Sequence, residues 1–201
     1  MAAFGFAFPR VMADLGDALG NPNMAAMYYE RVYRADPGAG NLYMVLDRYI
    51  SAENHGKVIT FAEKFLADDG YLGIIQKVNA AGEQAAAGSK LRLVSYANED
   101  SRIKTAYIIA LARTGMIFKV VDLLQGWEST ADTRQPNHAF IAGFLELPSE
   151  ETKGCLVRYV DALESSGGDE GLYSIDFLMI AYGLLGDSAA AANYARLFDE
   201  L

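Results

Sequence analysis

The stretch NLYMVLDRYISAENHGKVITFAEKFLADD, Asn41 to Asp69, decides the fold class. Leu42, Val45, Leu46 and Tyr49 recur at three- and four-residue spacing, which puts them on one face of a helix. Val58, Phe61, Ala62 and Phe65 repeat that spacing after a break. Asn54-His55-Gly56 has the residue types of a turn. Two apolar stripes joined by a short polar break make a helical hairpin. Neither helix hides its stripe alone, so a neighbouring hairpin has to cover what is left.

The same punctuation extends along the chain in both directions. Turn signals fall at Gly20-Asn21-Pro22, Glu53-Asn54-His55-Gly56, around Gly88, at Gly115-Met116, at Leu147-Pro148-Ser149 and at Gly186-Asp187. Counted from Gly20, Asn54, Gly88, Gly115, Ser149 and Gly186, the gaps are 34, 34, 27, 34 and 37 residues. A period of about 34 with two helical stripes per period is the mark of a helical repeat. Six units then fill one repeat domain over 1–201, at about 1–38, 39–70, 71–100, 101–134, 135–170 and 171–201. No strand-like alternation with hairpin turns interrupts them.

These units resemble tetratricopeptide repeats (TPR). The first carries Ala25, Tyr29 and Asp36-Pro37 at the family's small, aromatic and closing positions. The second carries Leu42, Tyr49, Val58, Ala62 and Phe65, with Gly70 where the proline would stand. The last carries Leu178, Tyr182, Ala191 and Phe198. The resemblance implies an all-α fold, a right-handed α-solenoid of about six antiparallel hairpins. A run from Leu178 to Gly186, followed by Leu197-Phe198-Asp199-Glu200, is also similar to a pentatricopeptide repeat (PPR). That relative implies single-stranded RNA binding as the alternative function, read through residues such as Thr105 and Asp176.

Charge argues against the alternative. The chain has 17 basic and 26 acidic residues and a formal charge of −9. Nucleic-acid affinity comes largely from Lys and Arg on phosphates. Ser101 to Arg134 carries about +2 and Leu172 to Leu201 about −3, an alternation unsuited to tracking a phosphate backbone. Hydrophobic residues make up 52% of the 201, which excludes a disordered chain. Cys155 is the single cysteine, so a disulfide scaffold and a thiolate metal site are excluded. Met1 to Phe8 is too short to span a bilayer and lacks a basic flank, so membrane insertion and a signal peptide are not expected. An intracellular, soluble protein is expected.

Candidate chemistry is sparse. His55 sits in a turn and reads as solvated. His138 follows Pro136-Asn137, where Asn137 is the expected helix cap. Cys155 lies near Lys153 and Arg158 but on an apolar helix stripe, which suits a small core residue. Gly38-Ala39-Gly40 lacks the lysine of a phosphate loop. Ser165 to Gly171 reads as a linker. The pairs Asp68-Asp69, Glu99-Asp100, Glu150-Glu151 and Asp169-Glu170 fall at expected helix ends or loops. No catalytic group, cofactor or metal site is therefore expected.

What remains is an interaction protein. Stacked hairpins form a concave groove that holds peptides or other subunits. The TPR resemblance implies that the first helix of each unit lines this groove, which places Arg10, Asp14, Asp17, Tyr43 and Asp47 there in the first two units. With acids at these places, the expected partner is a protein or peptide with basic segments. The two ends add apolar candidates, Phe4, Phe6 and Phe8 at one and Tyr194, Leu197, Phe198 and Leu201 at the other. They suggest docking on another subunit, either a second copy or a larger assembly.

Overall fold

The computed structural model describes residues 3–67, 87–129, 136–165 and 172–200, with side chains described for 8–67, 100–128, 136–165 and 174–200. Regular structure among these residues is ten α-helices and no strand. The helices are α1 (Ala3–Ala18), α2 (Pro22–Ala35), α3 (Ala39–Ser51), α4 (His55–Leu66) and α5 (Ala87–Arg113). They continue as α6 (Ile117–Ser129), α7 (Ala139–Glu146), α8 (Glu150–Ser165), α9 (Leu172–Leu185) and α10 (Ser188–Asp199). The helical class expected from the apolar periodicity is thus found. The chain groups into two compact units, Met1–Ala110 and Leu111–Leu201.

Four of the connections share one backbone geometry. Asn21, Asn54, Met116 and Asp187 each donate their N–H to the carbonyl five residues back, on Gly16, Tyr49, Leu111 and Tyr182, at 2.8–3.0 Å. The residue before each donates to the carbonyl three back, on Asp17, Ile50, Ala112 and Gly183. These paired bonds close a helix in the Schellman manner and need one residue with positive φ. Gly20, Gly115 and Gly186 take that conformation at φ 62°, 77° and 84°. Glu53 takes it at φ 56°, without the freedom of glycine. In three of the four, the next residue caps the following helix: Asn21 accepts from Met24, Asn54 from Lys57 and Asp187 from Ala190.

In the first unit, α1 packs on α2, α2 on α3, and α3 on α4. Gly16 meets α2 so closely that an added Cβ would lie 2.7 Å from the backbone nitrogen of Ala25. Ala13, Ala25, Ala26, Leu42, Val45, Leu46, Val58 and Ala62 are buried. In the second unit, α8 is central, in contact with α6, α7 and α9, while α10 packs on α9. Its core is built on rings: Phe140 stacks on Tyr159 at 4.0 Å, and Phe177 meets Tyr159 edge-on at 5.5 Å. Ser149 and Thr152 cap α8 reciprocally, with Glu150 and Glu151 in its positive first turn.

Two readings of local sequence are corrected in α5. Gly88 was expected in a turn, and Glu99-Asp100 at a helix end, yet the helix runs unbroken through all three. No proline interrupts the segment, Gly88 falls in the first turn, and Asp100 pairs with Lys104 one turn on at 2.6 Å. Asn137 also acts one residue away from the expected place. His138 is the capping position of α7, and the Asn137 side chain accepts from Ala139 N–H at 3.1 Å. The pairs Asp68-Asp69 and Asp169-Glu170, and most of the linker from Ser165 to Gly171, lie outside the described residues.

Candidate partner-binding surfaces

Four of the five residues expected to line a groove are brought together. Asp14 and Asp17 lie three residues apart on α1, so both carboxylates reach the Tyr29 hydroxyl. The Tyr29 hydroxyl, from α2, donates to Asp14 Oδ1 at 2.9 Å and lies 3.4 Å from Asp17 Oδ2. Arg48, from α3, donates through Nε and a terminal nitrogen to the two Asp17 oxygens at 2.6 and 2.8 Å. That fork is the strong, directional form of an ion pair. Asp47 pairs with the same guanidinium, and Arg10 reaches Asp14 at 3.5 Å. The Arg10 and Arg48 guanidinium groups lie 5.2 and 5.8 Å from the Tyr29 ring centre. Burial and then the Asp14 bond push the Tyr29 hydroxyl up to about 12, so it stays a donor at neutral pH.

The fifth residue, Tyr43, sits one turn before Asp47 on α3 and carries Arg102 5.0 Å from its ring centre. It makes no described contact with the Asp14 cluster. A second, more enclosed cluster centres on Glu30. Glu30 is buried, accepts from the Tyr49 hydroxyl at 2.5 Å and from Arg34, and has Lys57 at 3.8 Å. Burial raises the Glu30 carboxyl, but the Tyr49 and Arg34 bonds and the Lys57 charge outweigh it and hold the group below its ordinary value.

The groups are not equally available to a partner. The Asp17 carboxylate is occupied by Arg48 on both oxygens. The Asp14 and Asp47 side chains keep 57% and 38% of their surface in solvent, so each retains an open edge. Neither the part played by Arg48 nor the polar role of Tyr29 is legible in the sequence. Arg48 was hidden by a separation of 31 residues from Asp17, and Tyr29 by its place in a core stripe.

At the apolar candidates, Phe8 is largely exposed and touches the Tyr28 ring edge-on at 6.4 Å. Phe4, Phe6 and Leu201 have side chains outside the described residues. The Tyr194 hydroxyl donates to Glu164 at 2.6 Å and its ring stacks on Tyr182. Leu197 is half-buried and Phe198 just exposed. Beyond Phe8, the exposed apolar face of α1 continues through Val11 and Leu15, and Leu19, one residue past the helix end, is exposed as well. Their spacing was the available signal.

The catalytic and metal candidates are modest in structure. Cys155 is buried, burial pushes its thiol up, and the guanidinium of Arg158 lies 3.6 Å from the sulfur. His138 meets the Phe177 ring edge-on at 5.5 Å. His55 opens α4, and its buried Nδ1 has no hydrogen-bond partner among the described residues. No cluster of three or more metal-ligating residues occurs among the described residues. No helix among them is long and apolar enough to cross a membrane. In comparisons with known proteins, the chain matches no family model, no curated protein and no solved structure.

Proposed function

We propose that the chain is a non-enzymatic protein-interaction or assembly subunit, built as a right-handed α-solenoid of TPR-like hairpins. The shared Schellman geometry at residues 20, 53, 115 and 186 supports the repeat reading. The open edges of Asp14 and Asp47, beside a braced Asp17–Arg48 fork, carry the functional reading. The cluster of Arg10, Arg48, Asp14, Asp17 and Asp47 has one more negative charge than positive. Its fitting partner is a protein segment with basic or mixed-charge residues. The same reading sets the protein in a soluble, intracellular compartment.

The test uses affinity capture followed by direct binding. Partners retained by the wild-type chain are identified, and their affinity is measured against an Asp14→Lys/Asp47→Lys variant at two salt concentrations. The expected result is a loss of about tenfold at low salt, shrinking as salt screens the charges. Unchanged affinity refutes the groove assignment. Salt-dependent retention of single-stranded RNA on a filter, with no protein partner recovered, turns the reading over to the PPR-like alternative.

A further inference from the structure

We infer that the face formed by α1 and the adjoining edge of α2 is a self-association surface for a second copy of this chain. The inference rests on the interaction-subunit reading and deepens it by naming the occupant of one apolar surface. Phe8, Val11 and Leu19 keep 61%, 61% and 67% of their surface exposed, and Leu15 and Met27 are also exposed. Phe8, Val11 and Leu15 follow one another at three and four residues, the spacing of a seam between two helices. The opposite side of α1 is already used, because Ala13 and Gly16 are buried and Gly16 meets Ala25 of α2. The flank bearing Asp14 and Asp17 is turned to Tyr29 and Arg48.

Shape, charge and area favour a second copy. Two α1 helices laid antiparallel about a two-fold axis near Ala13 set Val11 of one copy against Leu15 of the other. They also set the Phe8 ring against the small, exposed Ala18, so large meets small on both sides of the axis. Residues 1–67 hold six basic and seven acidic groups, a net charge of −1 in a chain of −9. Copies meeting here bring little like charge together. At the other candidate end, Leu172 to Leu201 carries about −3, and Phe198 is only 37% exposed. Five large side chains, each about half exposed, offer roughly 500 Å² per copy, near the lower limit of a specific association. A lipid surface is the poorer occupant, because such helices line their polar face with Lys and Arg, whereas α1 presents Asp14, Asp17 and one arginine.

Sedimentation velocity across a concentration series tests this on the full chain. The wild type is expected to dimerise. Val11→Lys and Leu15→Lys should each raise the dissociation constant by about a hundredfold, since each charge enters twice across a two-fold axis. Both positions are exposed, so circular dichroism should show unchanged helicity. Phe198→Lys should leave the dimer intact. A wild type that stays monomeric at its highest attainable concentration overturns the inference. So does a dimer indifferent to both α1 substitutions. Either outcome leaves partner capture through Asp14 and Asp47 standing or falling by its own measurement.

Discussion

The helices α1–α4 and α7–α9 solve the same packing problem with different chemistry. Between α1, α2 and α3 the contact is polar at its edge: the Asp17–Arg48 fork, the Tyr29 hydroxyl on Asp14, and Glu30 under Tyr49. Around α8 the contact is a ladder of rings, Phe140 on Tyr159 and Tyr159 against Phe177. Hydrogen bonds and ion pairs demand particular angles, so they fix how neighbouring helices register, at modest net stability. Ring packing supplies more free energy through buried area. The first arrangement also leaves the charged edges of Asp14 and Asp47 in solvent, and these are the edges proposed to meet a partner.

The largest effect expected from this contrast is at the ring ladder. Phe140→Ala should cost about 3–5 kcal/mol, because it removes the stacked partner of Tyr159 and leaves a cavity. Trp127, the single tryptophan, lies in α6 of that unit, so its fluorescence midpoint in denaturant should fall with the loss. A midpoint that does not move breaks the assignment of the ladder as the core of that unit.

A smaller effect, confined to acid, is expected in the polar unit. Glu30 binds its proton less readily when folded than when unfolded. Its contribution is present above its ordinary value of 4.5 and is lost as pH falls through the lower folded value. Glu30→Gln should therefore cost about 1.5 kcal/mol at neutral pH and flatten the acid limb of the stability curve. Amide exchange in α2 and α3 reads this locally. An acid limb equally steep in the variant would show that Glu30 does not carry it.

The smallest effect concerns the turn between α3 and α4. Glu53 holds a left-handed conformation that glycine holds in the three sister turns. Glu53→Gly should raise stability by about 0.5–1 kcal/mol, the left-handed penalty less the unfolded-chain entropy of glycine, seen as a melting shift of about 2–4 °C per kcal/mol. A loss of stability would mean that the Glu53 side chain contributes a contact larger than its backbone strain.

Much of the helical architecture was legible in the residues. Leu42, Val45, Leu46, Tyr49, Val58 and Ala62 are buried at the expected spacing. Gly20-Asn21-Pro22 and Gly186-Asp187 mark a helix end and the next helix start, because left-handed φ and side-chain capping are local preferences of those residues. Local preference fails at Glu53, which takes φ 56° in a turn where the three sister turns have glycine. It also fails along α5, where Gly88 suits a turn and Glu99-Asp100 a helix end, yet the backbone stays helical.

The sequence by itself determined that the chain is helical, where several hairpins turn, and that acids stand among the candidate groove residues. Those properties follow from periodicity, backbone preference and counting. Only the tertiary structure decided which charges meet: that Arg48 takes Asp17, that Tyr29 joins two helices through Asp14, and that Glu30 is enclosed by Tyr49. It alone also decided which side of α1 stays uncovered, with Phe8, Val11, Leu15 and Leu19 in solvent. A stripe along one helix is written in its own residues, whereas its covering depends on how distant helices pack, which no local spacing records.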